Sequence, residues 1–376
     1  MRRFSVRKNI ILCSISAAVV ICIAVATVLT TLFSQRISDY FNQQTSVIVN
    51  AGEPIYTSSF STPAKVKIHD EAVCRDVEAE GIVLLENGTV TDRSGAHPSL
   101  PLAKESRITV FGQGSVDLLY GGTETDSTAA DDPVTLYRAL EESGFAVNPV
   151  MREFYESGAG SRYRRSIPSS SSYVRPDDLK INEVPRSEYT GTEISSFLSY
   201  SDAAVVVIGR SGTDGYDLPR SRNSSGKYYR EPSAGELSMI ALACEYFDNV
   251  VLLINSADPV MLGCIEDPDY AVDSVLWVGN PGSTGARAIG YVLNGYISPS
   301  GRLTETWAYD HTSAPSCADF GASDYVWQSG SPAANSDHYT VLSEGIYVGY
   351  RYYETRYEDY ATKSGNAGEY VYDETV

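Results

Sequence analysis

Two carboxylates lie close together in a glycine-containing segment that directly follows an apolar run. Asp214 and Asp217 occur in RSGTDGYDLP, residues 210–219, after AAVVVIG at residues 203–209. A continuous apolar run of this length is typical of a strand that is buried on both faces. Glycine lets a turn expose a side chain and approach a ligand closely, and carboxyl groups can transfer protons. The segment is therefore a candidate catalytic loop, with a solvated turn as the alternative.

Short apolar runs and amphipathic segments alternate along the central part of the chain. After a helix and a strand predicted within residues 70–87, the predicted strands are Arg107–Gly112, Ala203–Gly209, Val250–Ser256 and Ser274–Gly279. The predicted helices between them are Val134–Glu142, Ala234–Phe247 and Gly285–Asn294. Continuous apolar strands joined by helices indicate parallel pairing through crossovers. The pattern predicts an α/β/α layered fold, in which ligand sites gather beyond the carboxyl ends of the strands.

The N-terminus has the composition of a membrane anchor. Four basic residues in MRRFSVRKN precede the uncharged apolar run Ile10–Phe33. A helix of about 20 apolar residues spans a bilayer, and basic residues stay on its cytoplasmic side. We therefore predict a cytoplasmic segment at 1–9, a transmembrane signal-anchor at 10–33 and an extended linker at 34–69, with the globular region outside the cell. A signal peptide cleaved near AVA, residues 24–26, is the alternative.

The composition excludes several classes of function. The net charge of −19, from 48 acidic and 29 basic residues, argues against a nucleic-acid partner, because phosphates need basic patches. The six cysteines and four histidines are scattered, so neither a metal site nor a cysteine nucleophile is predicted. The chain has no GxxxxGK[ST] motif, so no cofactor is predicted. The segment Ser157–Tyr200 is interpreted as an irregular insertion without a chemical signal.

Several stretches, in the same order, resemble the α/β sandwich domain of glycoside hydrolase family 3, which includes β-glucosidases. They are EAEGIVLLENG, VVVIGRSGTDGYDLP, VVLLINSADPVML, SVLWVGNPGSTGARAIGYVLNGYISPSGRLTETW and SEGIYVGYRYYET, and together they cover about residues 70–355. The resemblance implies a three-layer α/β/α sandwich with a mostly parallel six-stranded sheet at 70–310. A tyrosine-rich continuation follows at 311–376, and we expect it to be incomplete at its end.

The same resemblance gives the candidate loop a role. The family carries an acid/base glutamate in a motif of the form R-x-G-G-E-G-x-D-L-P. On this sequence Asp214 takes the glutamate position and Thr213 a glycine position. Arg210 and Asp217 match the motif and are candidate substrate-binding residues, or residues that position the loop.

Aspartate is shorter than glutamate by one carbon–carbon bond, about 1.5 Å, and a misplacement of about 1 Å can lower a rate about 10²-fold. Three outcomes stay open. The loop has shifted and Asp214 is the acid/base residue, the enzyme is weak, or the chain is a non-catalytic relative.

The resemblance implies a retaining, β-glucosidase-like hydrolase that cleaves O-glycosyl bonds of an oligosaccharide or β-glycoside without a cofactor. Retaining enzymes need a nucleophilic carboxylate about 5–5.5 Å from the acid/base group. In the family the nucleophile lies on a (β/α)₈ barrel, which we expect downstream or in trans. The chain is thus interpreted as truncated before the barrel. The alternative is a non-catalytic carbohydrate-binding or interaction module.

Overall fold

The computed structural model describes residues 2–34, 58–92, 95–121, 132–164, 182–212, 218–219, 221–319, 342 and 344–363. The chain divides into two units, Met1–Thr62 and Pro63–Val376. Helix α1, Arg2–Leu32, belongs to the first unit. Its segment Cys13–Leu32 has a mean hydropathy of 2.5 and is long and apolar enough to cross a membrane, a description that a signal sequence also fits.

The described part of the second unit contains eight strands and eight helices. The strands are β1 Val83–Asn87, β2 Thr89–Asp92, β3 Gly95–Pro98, β4 Arg107–Phe111, β5 Ala146–Val147, β6 Ala203–Arg210, β7 Val250–Ser256 and β8 Ser274–Trp277. The helices are α2 Pro63–Gly81, α3 Leu136–Glu142, α4 Pro149–Glu156, α5 Gly191–Phe197, α6 Ala234–Tyr246, α7 Gly282–Leu293, α8 Pro315–Asp319 and α9 Tyr350–Thr362.

Six of the strands form one sheet in the order β1-β8-β7-β6-β4-β5. All neighbouring pairs are parallel except β1 with β8, which is antiparallel. Strands β2 and β3 form a separate antiparallel hairpin. The predicted mostly parallel six-stranded sheet is confirmed, and β6 continues one residue further than predicted, so that Arg210 is its last residue.

Helices cover both faces of the sheet, as the continuous apolar runs predict. Side chains of a strand point alternately to opposite faces. In β6, Val205 and Val207 pack in the core beneath α2, α3 and α7. Val206 and Ile208 pack in the core beneath α4, α5 and α6. Every residue of β7 is buried, so the central strands contribute apolar surface to both layers.

Several elements lie in segments that were assigned no regular structure. One is α5, Gly191–Phe197, a capped helix within the segment interpreted as an irregular insertion. Helix α2 begins at Pro63, so residues 63–69 of the predicted linker are helical. Proline suits the first turn of a helix because its missing N–H would have no partner there. In the tyrosine-rich region, α9 begins after Gly349 and ends before Lys363, which has a left-handed conformation with φ 54°.

A buried carboxyl group lies where α2 packs on α7. Gly285 of α7 faces Glu78 of α2, and a Cβ atom at Gly285 would lie 3.0 Å from the Cβ of Glu78. Glycine therefore lets the two helices approach closely. Among the described residues the buried Oε1 of Glu78 has no hydrogen-bond partner. Burial raises the pKa of Glu78 to about 8, because an unpaired charge is poorly solvated in the helix interface.

This carboxyl group should make the stability of the domain depend on pH. Its pKa is raised on folding from 4.5 to about 8, so the stability contributed by the protonated form is complete below the unfolded value and is lost as the pH rises through the folded value. Glu78→Gln should be close to the parent chain at about pH 5 and melt several degrees higher above pH 8. Thermal unfolding at both pH values measures this, and an equal difference at the two would contradict it.

Candidate functional site

The pairing of β6 with β7 determines what lies beside the candidate loop. In these parallel strands Arg210 is opposite Ser256, so Gly212 and Asp258 follow side by side at the carboxyl edge. A Cβ atom at Gly212 would lie 2.5 Å from Oδ2 of Asp258, a distance that only glycine avoids without rearrangement. The described chain stops at Gly212 and resumes at Leu218. Asp214 and Asp217, two of the three predicted site residues, lie outside the described residues.

Arg210, the third predicted site residue, is buried, with 1% of its surface exposed. Its Nη1 and Nη2 donate to the two carboxylate oxygens of Glu236 at 2.7 and 2.9 Å. The remaining donors go to backbone carbonyl oxygens of Gly209, Tyr229 and Glu231. A guanidinium group has five N–H donors, and these contacts use all of them. The geometry therefore favours the loop-positioning role for Arg210, which the sequence left open beside substrate binding.

Glu236 joins the stem of the candidate loop, Arg210 to Gly212, to the start of α6. Its backbone N–H donates to Ser233 Oγ, and its Oε2 accepts the N–H of Ser233. This reciprocal pair is a capping box, which satisfies backbone donors at the first turn of a helix. The same carboxylate neutralises the buried Arg210. The spacing S-x-x-E in the sequence predicts the cap, but it does not predict the arginine partner.

Tyr229 holds the next residue of the stem. Its hydroxyl donates to the carbonyl oxygen of Ser211 at 2.8 Å and accepts the N–H of Ser211 at 3.1 Å. Its own carbonyl oxygen accepts from Arg210 Nε. Both residues that precede Gly212 are therefore fixed by the segment just before α6.

Asp258 is a carboxyl group at this edge that sequence reasoning missed. Ser256 Oγ accepts the N–H of Asp258 and donates to its carbonyl oxygen, which forms a tight turn after β7. Burial raises the pKa of Asp258, and the Arg230 guanidinium, 3.9 Å away, partly opposes the shift. The run VVLLINSAD could have predicted this position, because an acidic residue that follows a buried parallel strand lies at the edge of the sheet where ligands bind.

Asn255, in β7, bonds to the loops that follow β4 and β8. It is fully buried, and its side chain accepts the N–H of Leu119 and donates to the carbonyl oxygens of Leu119 and Gly279. Leu119 follows β4 and Gly279 follows β8, while Asn255 belongs to β7. One amide group therefore satisfies backbone groups from two loops at the carboxyl edge, those after β4 and β8.

A cavity of about 620 Å³ opens beside the end of the candidate loop. Leu218 and Pro219 line it, and its charged or polar lining residues include Arg230, Glu305, His311 and Arg351. Tyr228, Tyr350 and Tyr353 supply aromatic surface. Burial, with a smaller effect from Arg230, lowers the pKa of His311, which favours a neutral imidazole. Within the described ranges, no group of three metal-ligating side chains is found.

Glu183 is a second residue that the sequence did not reveal. It accepts the backbone N–H groups of Gln113 and Val184. Burial raises its pKa to about 8, against the effect of these donors. Glu183 lies in the segment that was predicted to carry no chemical signal, and no motif surrounds it. Its position follows only from the tertiary structure, which places the Glu183 carboxyl group beside the turn after β4.

Comparison with known proteins identifies the family. The glycosyl hydrolase family 3 C-terminal domain matches residues 82–350 of the chain. The chain belongs to glycosyl hydrolase family 3. β-Glucosidase A of Butyrivibrio fibrisolvens is 26% identical over 308 residues, which cover 76% of this chain and 33% of that protein. The β-glucosidase of Ruminococcus albus is 28% identical over 286 residues, covering 76% and 26%.

The solved structures agree on the fold. β-Glucosidase 3B of Thermotoga neapolitana, in complex with glucose, matches with a TM-score of 0.58 at 28% identity, covering 77% of this chain and 36% of that one. A β-glucosidase of Paenibacillus barengoltzii matches with a TM-score of 0.60 at 24% identity, covering 76% and 27%. This family 3 chain therefore spans about a quarter to a third of the length of its relatives.

Removing Arg210 from this family 3 domain should be strongly destabilising. Arg210→Met leaves the buried Glu236 charge unpaired, which costs about 3–5 kcal/mol of unfolding free energy. The matched control is Arg138→Met, which breaks an exposed pair with Glu142 and should cost less than about 1 kcal/mol. Urea unfolding followed by tryptophan fluorescence measures both.

A second variant separates the lost pair from lost packing. Arg210→Met combined with Glu236→Leu should recover part of the stability, because no unpaired buried charge remains. If the double variant is less stable than Arg210→Met by the full cost of a second core mutation, the charge argument is wrong.

Proposed function

We propose that this chain supplies the acid/base loop of a β-glucosidase-like glycoside hydrolase. The observation that carries the proposal is the stem, Arg210 to Gly212, which buried hydrogen bonds fix in place. The stem places the start of the loop at the carboxyl edge of the sheet, within the matched family domain. Leu218 and Pro219, at the other end of the loop, line the cavity there. The described residues on either side of positions 213–217 therefore lie at the carboxyl edge of the sheet and beside a space lined by polar and aromatic side chains.

The proposed reaction is hydrolysis with retention at the anomeric carbon. The Asp214 carboxyl protonates the departing glycosidic oxygen while a nucleophilic carboxylate attacks the anomeric carbon, and the C–O bond breaks. Asp214, now ionised, then takes a proton from water as that water displaces the nucleophile. The second carboxylate is proposed to lie on a (β/α)₈ barrel, downstream or in trans, because the chain spans a third or less of its named β-glucosidase relatives.

Loop geometry decides whether aspartate can replace glutamate. The stem is fixed at Arg210 and Ser211 by buried groups, so the missing reach of about 1.5 Å has to come from residues 213–217 or from the barrel. Thr213 in place of the family glycine is a change in the same turn.

Asp214 and Thr213, in place of the family glutamate and glycine, also favour a second candidate function. A chain that has lost the glutamate and its neighbouring glycine while keeping the stem could serve as a non-catalytic carbohydrate-binding module. In that case residues 213–217 contribute shape and hydrogen bonds only, and Asp214 transfers no proton.

Substitution at Asp214 distinguishes the two functions. The chain is mixed with, or fused to, a family 3 barrel, and hydrolysis of 4-nitrophenyl β-D-glucoside is measured. Asp214→Asn should lower kcat by about 10²–10⁴-fold because the proton donor is lost, and Asp214→Glu should preserve or raise kcat. The 376-residue chain without a barrel is the control and should show no hydrolysis.

Full activity of Asp214→Asn, or collapse on Asp214→Glu, would remove Asp214 from the mechanism. Turnover by the chain alone that disappears with Asp214→Asn would show that no barrel is needed.

We further propose that α1 anchors the domain to a membrane, with the globular unit outside the cell. Its support is the apolar segment Cys13–Leu32, preceded by basic residues at positions 2, 3, 7 and 8. The expressed chain should stay in the membrane pellet after alkaline washing, keep its N-terminus, and be digested by protease added outside. A soluble product whose N-terminus follows Ala26 would show a cleaved signal peptide instead.

A further inference from the structure

A second cavity lies at the opposite edge of the sheet from the candidate loop. It measures about 520 Å³ and is lined in part by Lys104, Gly144, Tyr291 and Tyr296. Lys104 and Gly144 precede β4 and β5, both of which run parallel to β6. The cavity is therefore at the amino ends of the parallel strands, whereas Arg210 ends β6 at the carboxyl edge.

Two tyrosine rings form one wall of this cavity. Tyr296 is 76% exposed, and its ring centroid lies 5.3 Å from that of Tyr291 at an angle of 56°. Two hydrogen bonds fix the backbone that carries the pair. Asn294 Oδ1 accepts the N–H of Tyr296, and the Tyr291 carbonyl oxygen accepts the N–H of Ile297. An ordered tyrosine offers a broad apolar face at a small cost in side-chain entropy.

The turn that presents Tyr296 depends on a glycine. Gly295 has φ +73°, and a Cβ atom there would lie 2.7 Å from the Cβ of Pro101. The end of α7 can close against Pro101 only without a side chain at this position. The exposed ring is thus part of a defined helix end rather than of a loose loop.

Polar groups of both signs face the rings. Arg75 donates to the Asp76 carboxylate from Nε and Nη2, at 2.9 and 2.7 Å, and Glu142 accepts from Arg138 and Arg287. These charges are largely compensated within the protein. For Lys104, which lies in the turn just before β4, no ion pair is found among the described residues. The lining thus has many hydrogen-bonding groups, and its charges other than Lys104 are compensated by ion pairs within the protein.

We infer that this cavity binds a neutral saccharide at a site separate from the candidate catalytic loop. A pyranose ring has an apolar face of C–H groups and an equatorial rim of hydroxyl groups. The apolar face would lie on Tyr296, and the hydroxyl groups would bond to Lys104, Asp76 and Arg75. An apolar wall with a few fixed polar groups is the usual composition of a small-molecule site, and the balanced charges favour a neutral ligand over an ionic one.

Calorimetry with cellotetraose tests the inference on the full chain in detergent micelles. Tyr296→Ala should raise Kd at least about tenfold, a change equivalent to about 1.4 kcal/mol. Tyr296→Phe, which keeps the ring, should stay within about twofold of the parent chain. Tyr357→Ala removes an exposed ring of α9 that lines neither cavity; it is the matched control and should leave Kd unchanged.

The outcomes also separate this site from the proposed catalysis. Binding that persists in Asp214→Asn supports the inference even if no hydrolysis is found. Three results would overturn it: no binding by the parent chain, loss of binding with Tyr350→Ala in the cavity beside the candidate loop but not with Tyr296→Ala, or binding restricted to an acidic disaccharide and abolished by Lys104→Met. Unchanged melting temperatures of the variants confirm that the fold is intact.

Discussion

The buried ion pair between Arg210 and Glu236 is the interaction on which the candidate site depends. It joins the last residue of the central strand β6 to the first turn of α6. Both ions lose most of their hydration, and their attraction offsets that cost only because every guanidinium N–H also finds an acceptor. A pair of this kind adds little net stability relative to apolar residues of the same shape. Its retention is better explained by the geometry it imposes on the chain that follows.

That geometry leaves little freedom at the loop stem. Tyr229 holds Ser211 through both its N–H and its carbonyl oxygen, and Asp258 occupies the space where a side chain at Gly212 would lie. In the proposed mechanism, the reach that a glutamate would supply from this stem has to come from elsewhere, because an aspartate side chain is shorter by about 1.5 Å.

Hydrophobic patterning predicts the layers and the strands of this domain because every residue of the central strands contributes to a core. Continuous runs such as VVLLINS have one stable environment, a parallel sheet covered on both faces. The order of the strands and the antiparallel β1 do not follow from such runs, and the family resemblance supplied the six-stranded sheet. Arg210 directly followed a predicted strand, yet its burial could not be inferred, since an arginine after an apolar run is usually exposed.

The candidate site was only partly predictable for a related reason. Asp214 was predicted from a motif, which is local in the sequence, and its role stays a prediction because it lies outside the described residues. Asp258 and Glu183 act through neighbours that are distant in the sequence, namely Gly212 and Gln113, and each contact depends on strand register or on the path of a loop. The S-x-x-E spacing of α6 predicts a helix cap, but the same carboxylate also neutralises Arg210, and only the tertiary structure brings these two roles together.

The carboxyl and amino edges of the sheet differ in how they could interact with a sugar. At the carboxyl edge, Asp258, whose pKa burial raises, lies beside the hydrogen-bonded stem, which suits proton transfer at a reacting bond. At the amino edge, compensated charges and an exposed tyrosine suit retention of a neutral ring without chemistry. An oligosaccharide held at the amino edge, as we infer, would keep the domain near a polymeric substrate and raise the effective concentration of chain ends at the other edge. Such retention would matter most if α1 anchors the domain to a membrane, as we propose, because diffusion of the domain toward an insoluble substrate would then be restricted.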